Sequence, residues 1–242
     1  MKVAAYQAPL LPSGSTQAIS LIAAQVRICE SIGVKFLCCP EAVIGGLADY
    51  ASRPYEIAIG VQNGPLQRAV TPFASDTVTT ILGFTEIGDD GRLFNAAAVV
   101  HKGAVVGLYR KRHPAINSSI YEPGHDTPVF TVGHLTFGIV ICRDSTYREL
   151  AQGMADRGAT ALFVPTNNGL PPAKGGVEVV EHARDTDVAR ATENGVSVIR
   201  ADVAGRADGL VSYGASGIVD RQGATLRAAK PLEVELVVAE ID

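Results

Sequence analysis

Short apolar runs, each halted by Gly, Pro or a tight polar turn, recur along the whole chain, with helical-period segments between them. This interleaving constrains the fold most, because a run of four to eight residues must pair inside a sheet to bury its backbone. Residues 3–7 and 34–39 read as strands, the second stopped by Pro40. Residues 77–85, 94–101 and 104–110 follow, separated by the Asp89–Asp90–Gly91 turn and the hairpin signal Lys102–Gly103. Residues 129–132 and 135–141 flank Gly133–His134 as a further hairpin, and strands are expected over 159–164, 196–203, 214–220, 224–227 and 234–241. Helices are expected over 16–32, with Thr16 as cap and Ile19, Ile22, Ala23, Val26 and Cys29 at helical spacing, and over 65–71, 146–157 and 177–194, the last closed by Gly195. Hairpins argue against purely parallel sheets, and two sheets with helices on their outer faces accommodate the count, an α/β class.

No repeat, low-complexity tract or long linker divides the 242 residues, so a single domain over 1–242 is expected. Hydrophobic residues at 47% against 19% charged place the chain among ordered globular proteins. A net charge of −4 offers no basic surplus for a phosphate backbone, which argues against a nucleic-acid partner. The opening MKVAAYQAPL holds too short an apolar stretch for a signal peptide or a membrane span, so a cytoplasmic protein without membrane partners is expected. Its four cysteines, Cys29, Cys38, Cys39 and Cys142, form no C-x-x-C pair and are expected to be free thiols. The five histidines lack metal-ligand spacing, and no P-loop, G-x-G-x-x-G or G-x-S-x-G occurs, so neither metal nor cofactor is expected.

Three residues that follow strands can carry chemistry. Cys142 ends the apolar run 135–141, just before an expected helix. Such a corner presents a side chain at a sheet rim, and the helix N-terminus would lower the thiol's pKa; the alternative is a buried structural cysteine. Glu41 follows Leu37–Cys38–Cys39–Pro40, where partial burial would suit a general base, or leave a solvated loop glutamate. Lys111 sits in Tyr109–Arg110–Lys111–Arg112–His113, either turned inward to stabilise an oxyanion or part of a solvated basic run.

The order Glu, Lys, Cys, each after a strand, resembles the nitrilase, or carbon–nitrogen hydrolase, superfamily. The likeness spans nearly the whole chain: Pro40–Glu41; Phe94–Asn95–Ala96 followed by Gly107 to Lys111; Pro123–Gly124 with Pro128–Val129–Phe130; Gly138 to Asp144; Ala189 to Asn194; and Gly214 to Val219. The resemblance implies a four-layer α-β-β-α sandwich with two mixed β-sheets, no cofactor, and assembly as a homodimer or higher homo-oligomer. It also implies Cys142 as nucleophile, Glu41 as general base, Lys111 as oxyanion partner with the backbone N–H of Arg143, and a small-molecule amide, carbamoyl or nitrile substrate. Many family members carry a second Glu before the Pro-Gly pair. Asn117 stands at that position here, with Glu122 as a possible substitute. Arg143 is open to two readings, binding a substrate carboxylate or pairing with Asp144 or Glu149. Asp144 after it suits amidase-like or carbamoylase-like members. Asn167 and Asn168 follow the strand 159–164 and are read as substrate-binding amides or a polar turn. The expected activity is hydrolysis of a small amide or N-carbamoyl compound. The alternatives are a nitrilase or amide-forming acyltransferase on the same triad, or a binding scaffold.

Overall fold

Alternate side chains of the first strand, β1 (Lys2–Pro9), enter different cores: Val3 and Ala5 face one, Ala4, Tyr6 and Ala8 the other. A strand buried on both faces belongs in the middle of a layered molecule. The computed structural model, which describes residues 1–242, shows the same division in β2 (Phe36–Cys38), with Phe36 and Cys38 on one side and Leu37 on the other.

These strands lie in a nine-stranded sheet with β3 (Ile59–Gly60), β4 (Thr79–Ile87), β5 (Leu93–His101), β6 (Ala104–Arg110), β11 (Val203–Ala207), β12 (Leu210–Ser212) and β15 (Glu235–Glu240). The path runs β12-β11-β1-β2-β4-β5-β6, with β15 on β1 and β3 on β4. The second sheet has six strands: β7 (Val129–Val132), β8 (Leu135–Ile139), β9 (Ala161–Pro165), β10 (Ser197–Ala201), β13 (Gly217–Val219) and β14 (Thr225–Ala228), ordered β14-β13-β10-β9-β8-β7. Both sheets are mixed, as the hairpins demanded. β1, β2 and β4 run parallel, as do β8, β9 and β10, whereas β4-β5-β6, β7-β8 and β10-β13-β14 are antiparallel.

The sheets pack face to face. Phe36 of the first stacks on Phe163 of the second at 5.8 Å and meets Phe137 edge-on at 5.6 Å. Helix α1 (Gln17–Ser31) covers the outer face of the nine-stranded sheet through Ala18, Ile22, Ala23, Val26 and Cys29, and the short α2 (Pro65–Val70) adds Leu66 and Val70. On the far side, α3 (Arg148–Asp156) contributes Leu150, Ala151 and Met154, and α4 (Val177–Asn194) contributes Ala191. Four layers result, and none of the helices is long and apolar enough to cross a membrane.

Three boundaries differ from expectation for physical reasons. The expected strand 196–203 is two: β10 ends at Ala201 in one sheet and β11 begins at Val203 in the other, with Asp202 at the crossing. The expected helix 146–157 begins as α3 only at Arg148, because residues 142–146 form a 3₁₀ turn and Tyr147 is extended. Thr16 occupies the cap position of α1 without a side-chain bond, and Ser15 Oγ accepts the Gln17 N–H instead at 3.3 Å. The strands β3 and β12, two and three residues long, are too short to leave an alternating signature in sequence.

Candidate active site

Glu41 is placed by a turn that a side chain on the neighbouring strand would block. Beneath it on β4 lies Gly83, where a Cβ would fall 2.2 Å from Pro40 O and 2.6 Å from Ala42 N. Ala42 itself is left-handed, with φ 45°. The Glu41 N–H reaches across to Thr166 O at 3.2 Å, joining the two sheets at the site. Its carboxylate is buried and held by three donors: Lys111 Nζ at 2.5 Å and Asn95 Nδ2 at 2.7 Å on Oε1, and the Asn167 N–H at 2.9 Å on Oε2, which leaves Oε2 a free acceptor site.

Lys111 is the first residue past β6 and extends its ladder by donating its N–H to Asn95 O at 2.8 Å. Gly124 packs on this backbone, donating to Lys111 O at 2.8 Å; a Cβ at Gly124 would sit 2.3 Å from Arg110 O. That contact explains the Pro123–Gly124 pair. Burial opposes the Lys111 ammonium, but Glu41, followed by Cys142 and Asp144, outweighs it and holds the pKa above the usual lysine range.

Cys142 opens the 3₁₀ turn after β8 with φ 47°, a left-handed conformation that a non-glycine residue adopts at a cost of about 1–3 kcal/mol. The turn is tied down by Ser145 Oγ, which donates to Cys142 O at 2.8 Å. The thiol is not acidified as the sequence suggested. Burial, reinforced by Glu41, pushes it up to about 12, against the pull of Lys111 and Arg200. The expected dipole is missing because α3 starts six residues later, and burial dominates.

Glu41, Lys111 and Cys142 line one small pocket of about 90 Å³, walled by Leu47, Tyr50, Pro114, Ile116, Tyr121 and Leu170. Asn167 also lines it, with its side-chain Oδ1 accepting the Gly169 N–H at 3.0 Å. Asn168 turns behind it, where Asp202 holds it by two bonds. Asp49, half-buried on the wall, accepts from Ser119 Oγ at 3.0 Å and the Ile120 N–H at 2.9 Å.

Two expectations fail, and one of the two readings of Arg143 is removed. Asn117 and Glu122 are exposed and line no part of this pocket. The chain bridges β5 at Leu93–Tyr121, so Tyr121 faces inward, with its hydroxyl on Thr85 Oγ1 and the Ala48 N–H, and Glu122 faces out. Glu41 is therefore the one carboxylate paired with Lys111. Arg143 pairs with neither Asp144 nor Glu149; its guanidinium donates to Ala115 O at 2.8 Å.

The contacts of several polar residues escaped sequence reasoning. Asp144, completely buried, accepts from Tyr109 Oη at 2.7 Å, from the N–H groups of Arg112 at 3.2 Å and His113 at 2.8 Å, and pairs with the His113 ring at 3.0 Å. It thereby binds the segment after Lys111 to the turn of Cys142. Asn95 steers Glu41, and its presence in Phe94–Asn95–Ala96, a polar residue inside an apolar strand, was the available signal. Beneath the turn, Arg200 joins Asp187, Thr166 and Ser145. Glu178 and Glu181 lie exposed on α4, and no three His, Cys, Asp or Glu side chains gather as metal ligands.

The family model for carbon-nitrogen hydrolase matches residues 2–242. A nitrilase of Pyrococcus abyssi is 32% identical over 190 residues, covering 78% of this chain and 69% of its own length. An N-carbamoylputrescine amidase of Solanum tuberosum is 30% identical over 164 residues, 62% of this chain and 55% of its own. Among solved structures, an amidase of Nesterenkonia AN1 from the nitrilase superfamily superposes with a TM-score of 0.84 at 23% identity, over 98% of this chain and 90% of that one; it shares the fold.

Proposed function

The chain belongs to the carbon–nitrogen hydrolase family, and from that premise we propose that it hydrolyses a small amide or N-carbamoyl compound through a thioester on Cys142. The observation that carries this reading is the convergence of Cys142, Glu41 and Lys111, from three distant strand ends, on one pocket. A thiol held up near 12 is neutral at rest, so it needs a base at the moment of attack, and the Glu41 carboxylate is the base at hand.

In this mechanism Glu41 takes the Cys142 proton as sulfur bonds to the substrate carbon, and the carbonyl electron pair moves onto oxygen. The Lys111 ammonium and the Arg143 N–H face that oxyanion. The C–N bond breaks as Glu41 returns the proton to the leaving amine. A water then gives its proton to Glu41, adds to the thioester and releases the acid and the thiol. Lys111 serves both halves, pairing with Glu41 and offering N–H groups beyond the one Glu41 occupies.

The relatives named above act on carbamoyl, amide or nitrile compounds by their names, which supports the substrate class. The same reading has one domain over residues 1–242 working as a cytoplasmic homo-oligomer, which sedimentation of the purified chain tests for assembly. The decisive experiment is a screen for released ammonia over small amides, carbamoyl compounds and nitriles. Turnover is expected on an amide or carbamoyl compound and lost, by about 10⁴-fold or more, in Cys142→Ala with the fold intact. Full activity in that variant removes the nucleophile assignment. Acid from nitriles alone, or acyl passed to an added amine, would favour the nitrilase or acyltransferase alternative.

A further inference from the structure

Asp202 is completely buried at the crossing from β10 to β11, and no step of the proposed reaction uses it. Its carboxylate is satisfied by four N–H donors: the Asn168 N–H at 3.0 Å, Asn168 Nδ2 at 2.8 Å, the Val203 N–H at 2.8 Å and the Ala215 N–H at 3.0 Å. None of these is a cation. Burial raises the pKa of the carboxyl, and the four donors pull it back. Two of the four come from Asn168, one on each carboxylate oxygen.

That clamp fixes which way the Asn168 amide points. A carboxylate accepts and does not donate, so the NH₂ group must face Asp202. The carbonyl oxygen Oδ1 is then directed away, and it lies 4.0 Å from Cys142 Sγ. The Asn168 amide therefore offers the sulfur an acceptor and not its NH₂ donors. An acceptor favours S–H over S⁻, because the thiolate would face the negative end of the carbonyl dipole.

We propose that Asp202 is a positioning residue for the nucleophile: by locking the Asn168 amide it sets an acceptor beside Cys142, which aims the resting sulfur and keeps it a neutral thiol until Glu41 removes the proton. The inference rests on Cys142 being the nucleophile, as proposed above. It gives Asp202 and Asn168 a role that neither substrate contact nor a polar turn supplies. Four charged groups act on Cys142: Glu41 after β2, Lys111 after β6, Arg200 on β10 and Asp202 after it. The two carboxylates push the thiol toward neutrality and the two cations oppose them. Asn168 adds a fixed dipole on the same side as the carboxylates.

The test is the pH dependence of Cys142 alkylation by iodoacetamide, followed on the Cys142 peptide by mass spectrometry in the full chain. Cys29, Cys38 and Cys39 are buried, whereas Cys142 is partly accessible, so the label reports the right sulfur. Asp202→Asn removes the acceptor-only partner, so Asn168 can turn its NH₂ toward sulfur. Asn168→Ala removes the acceptor and leaves Asp202 with its Val203 and Ala215 bonds. Both variants are expected to move the alkylation midpoint down by at least one pH unit, a tenfold gain in thiolate at a fixed pH below the midpoint. The midpoint is read together with the limiting labelling rate above it, because a looser pocket would hydrate the sulfur and lower the midpoint too. The positioning role expects the midpoint to move with the limiting rate unchanged, and a shift accompanied by a raised limiting rate overturns it. A shift in Asp202→Asn alone means that charge acts without the amide and overturns the positioning role. A shift in Asn168→Ala alone removes Asp202 from it, and no shift in either ends the proposal. If Asp202→Asn does not fold, an unshifted Asn168→Ala is enough to overturn it. Retained ammonia release in Cys142→Ala would instead sink the catalytic reading, whatever the midpoints show.

Discussion

Two ion pairs of equal length are buried near Cys142, and they are completed in opposite ways. Lys111 and Glu41 meet at 2.5 Å, as do Arg200 and Asp187, and all four side chains are 4% exposed or less. The Arg200 pair is closed. Its guanidinium donates to both Asp187 oxygens, to Thr166 Oγ1 at 2.8 Å and to Ser145 Oγ at 3.0 Å, and Ser145 passes the restraint to Cys142 O. The Lys111 pair is open. The ammonium has three donors, Glu41 takes one, and the neighbouring Asn95 Oδ1 is buried without a partner. A planar fork suits the pair that holds a turn in shape, and a compact ammonium with spare N–H groups suits the pair that must meet developing charge. Burial and a short ion pair thus do not by themselves mark a reactive site; unfilled hydrogen-bonding capacity facing a pocket does.

The strongest way to break this contrast is to disable each cation in turn. Lys111→Met is expected to lower turnover by about 10²–10³-fold through lost oxyanion stabilisation, measured as ammonia release on the best substrate. Arg200→Met leaves Asp187 charged and alone in the core and is expected to cost about 3–5 kcal/mol in urea unfolding. Removing both partners, Arg200→Met with Asp187→Leu, should recover most of that loss, because an apolar pair of similar volume needs no desolvation. If Arg200→Met leaves stability untouched, the closed pair is not the scaffold described above.

The same contrast explains what could be read from sequence. Glu41, Lys111 and Cys142 were legible because each follows an apolar strand, and strand ends are visible in one dimension. The strands themselves were legible through their turns, so the Ala104–Arg110 and Val129–Val132 boundaries emerge unchanged. The partners were not legible. Asn95 is 54 residues from Glu41, and Asn168 is 34 from Asp202, so no local pattern links them. Asp202 was hidden inside an apparent strand, because changing sheets leaves no break in the apolar run. Glu122 was misplaced by parity: a single bridge at Tyr121 decides which of two adjacent side chains turns inward. The pairing reading of Arg143 failed because its partner is a backbone carbonyl, which any residue supplies. The thiol's acidity was misjudged because depth of burial, which opposes ionisation, cannot be counted from the chain.

A second prediction sharpens the picture of the open pair by asking what charge its pocket admits. Asp49 adds a second carboxylate to the Glu41 and Lys111 that line the wall, and Arg143, the nearby cation in sequence, is occupied at Ala115 O. The lining thus sets two carboxylates against one ammonium. Matched amides differing only in an ammonium or carboxylate tail should differ in kcat/KM by about tenfold in favour of the cation, an effect of about 1.4 kcal/mol at the partly screened wall. Asp49→Asn should bring the ratio toward one. A carboxylated amide preferred by the unaltered chain would show that Arg143 or another cation reaches the pocket.

The smallest effect expected per residue separates the ion pairs from the thiols under alkali. Burial opposes the charge on Arg200 and on Lys111, but their carboxylates outweigh it and hold both above their ordinary pKa values, so neither pair comes apart as pH rises through 9. The thiols behave differently. Burial pushes Cys29 and Cys142 up to about 12 and raises Cys38 and Cys39 as well. Between the ordinary thiol range near pH 9 and those raised values, the unfolded chain has lost protons that the folded chain keeps. The unfolded state then binds fewer protons, so unfolding free energy must fall as pH rises, by about 1.4 kcal/mol per unit for each fully buried thiol at the steepest. Urea midpoints taken from pH 8.5 to 10 should therefore decline, and Cys29→Ala should flatten the slope by about one thiol's share whatever it does to stability at pH 7. A flat profile would show that the thiols ionise as readily in the folded chain as in the unfolded one, and would remove their burial as a source of pH-dependent stability.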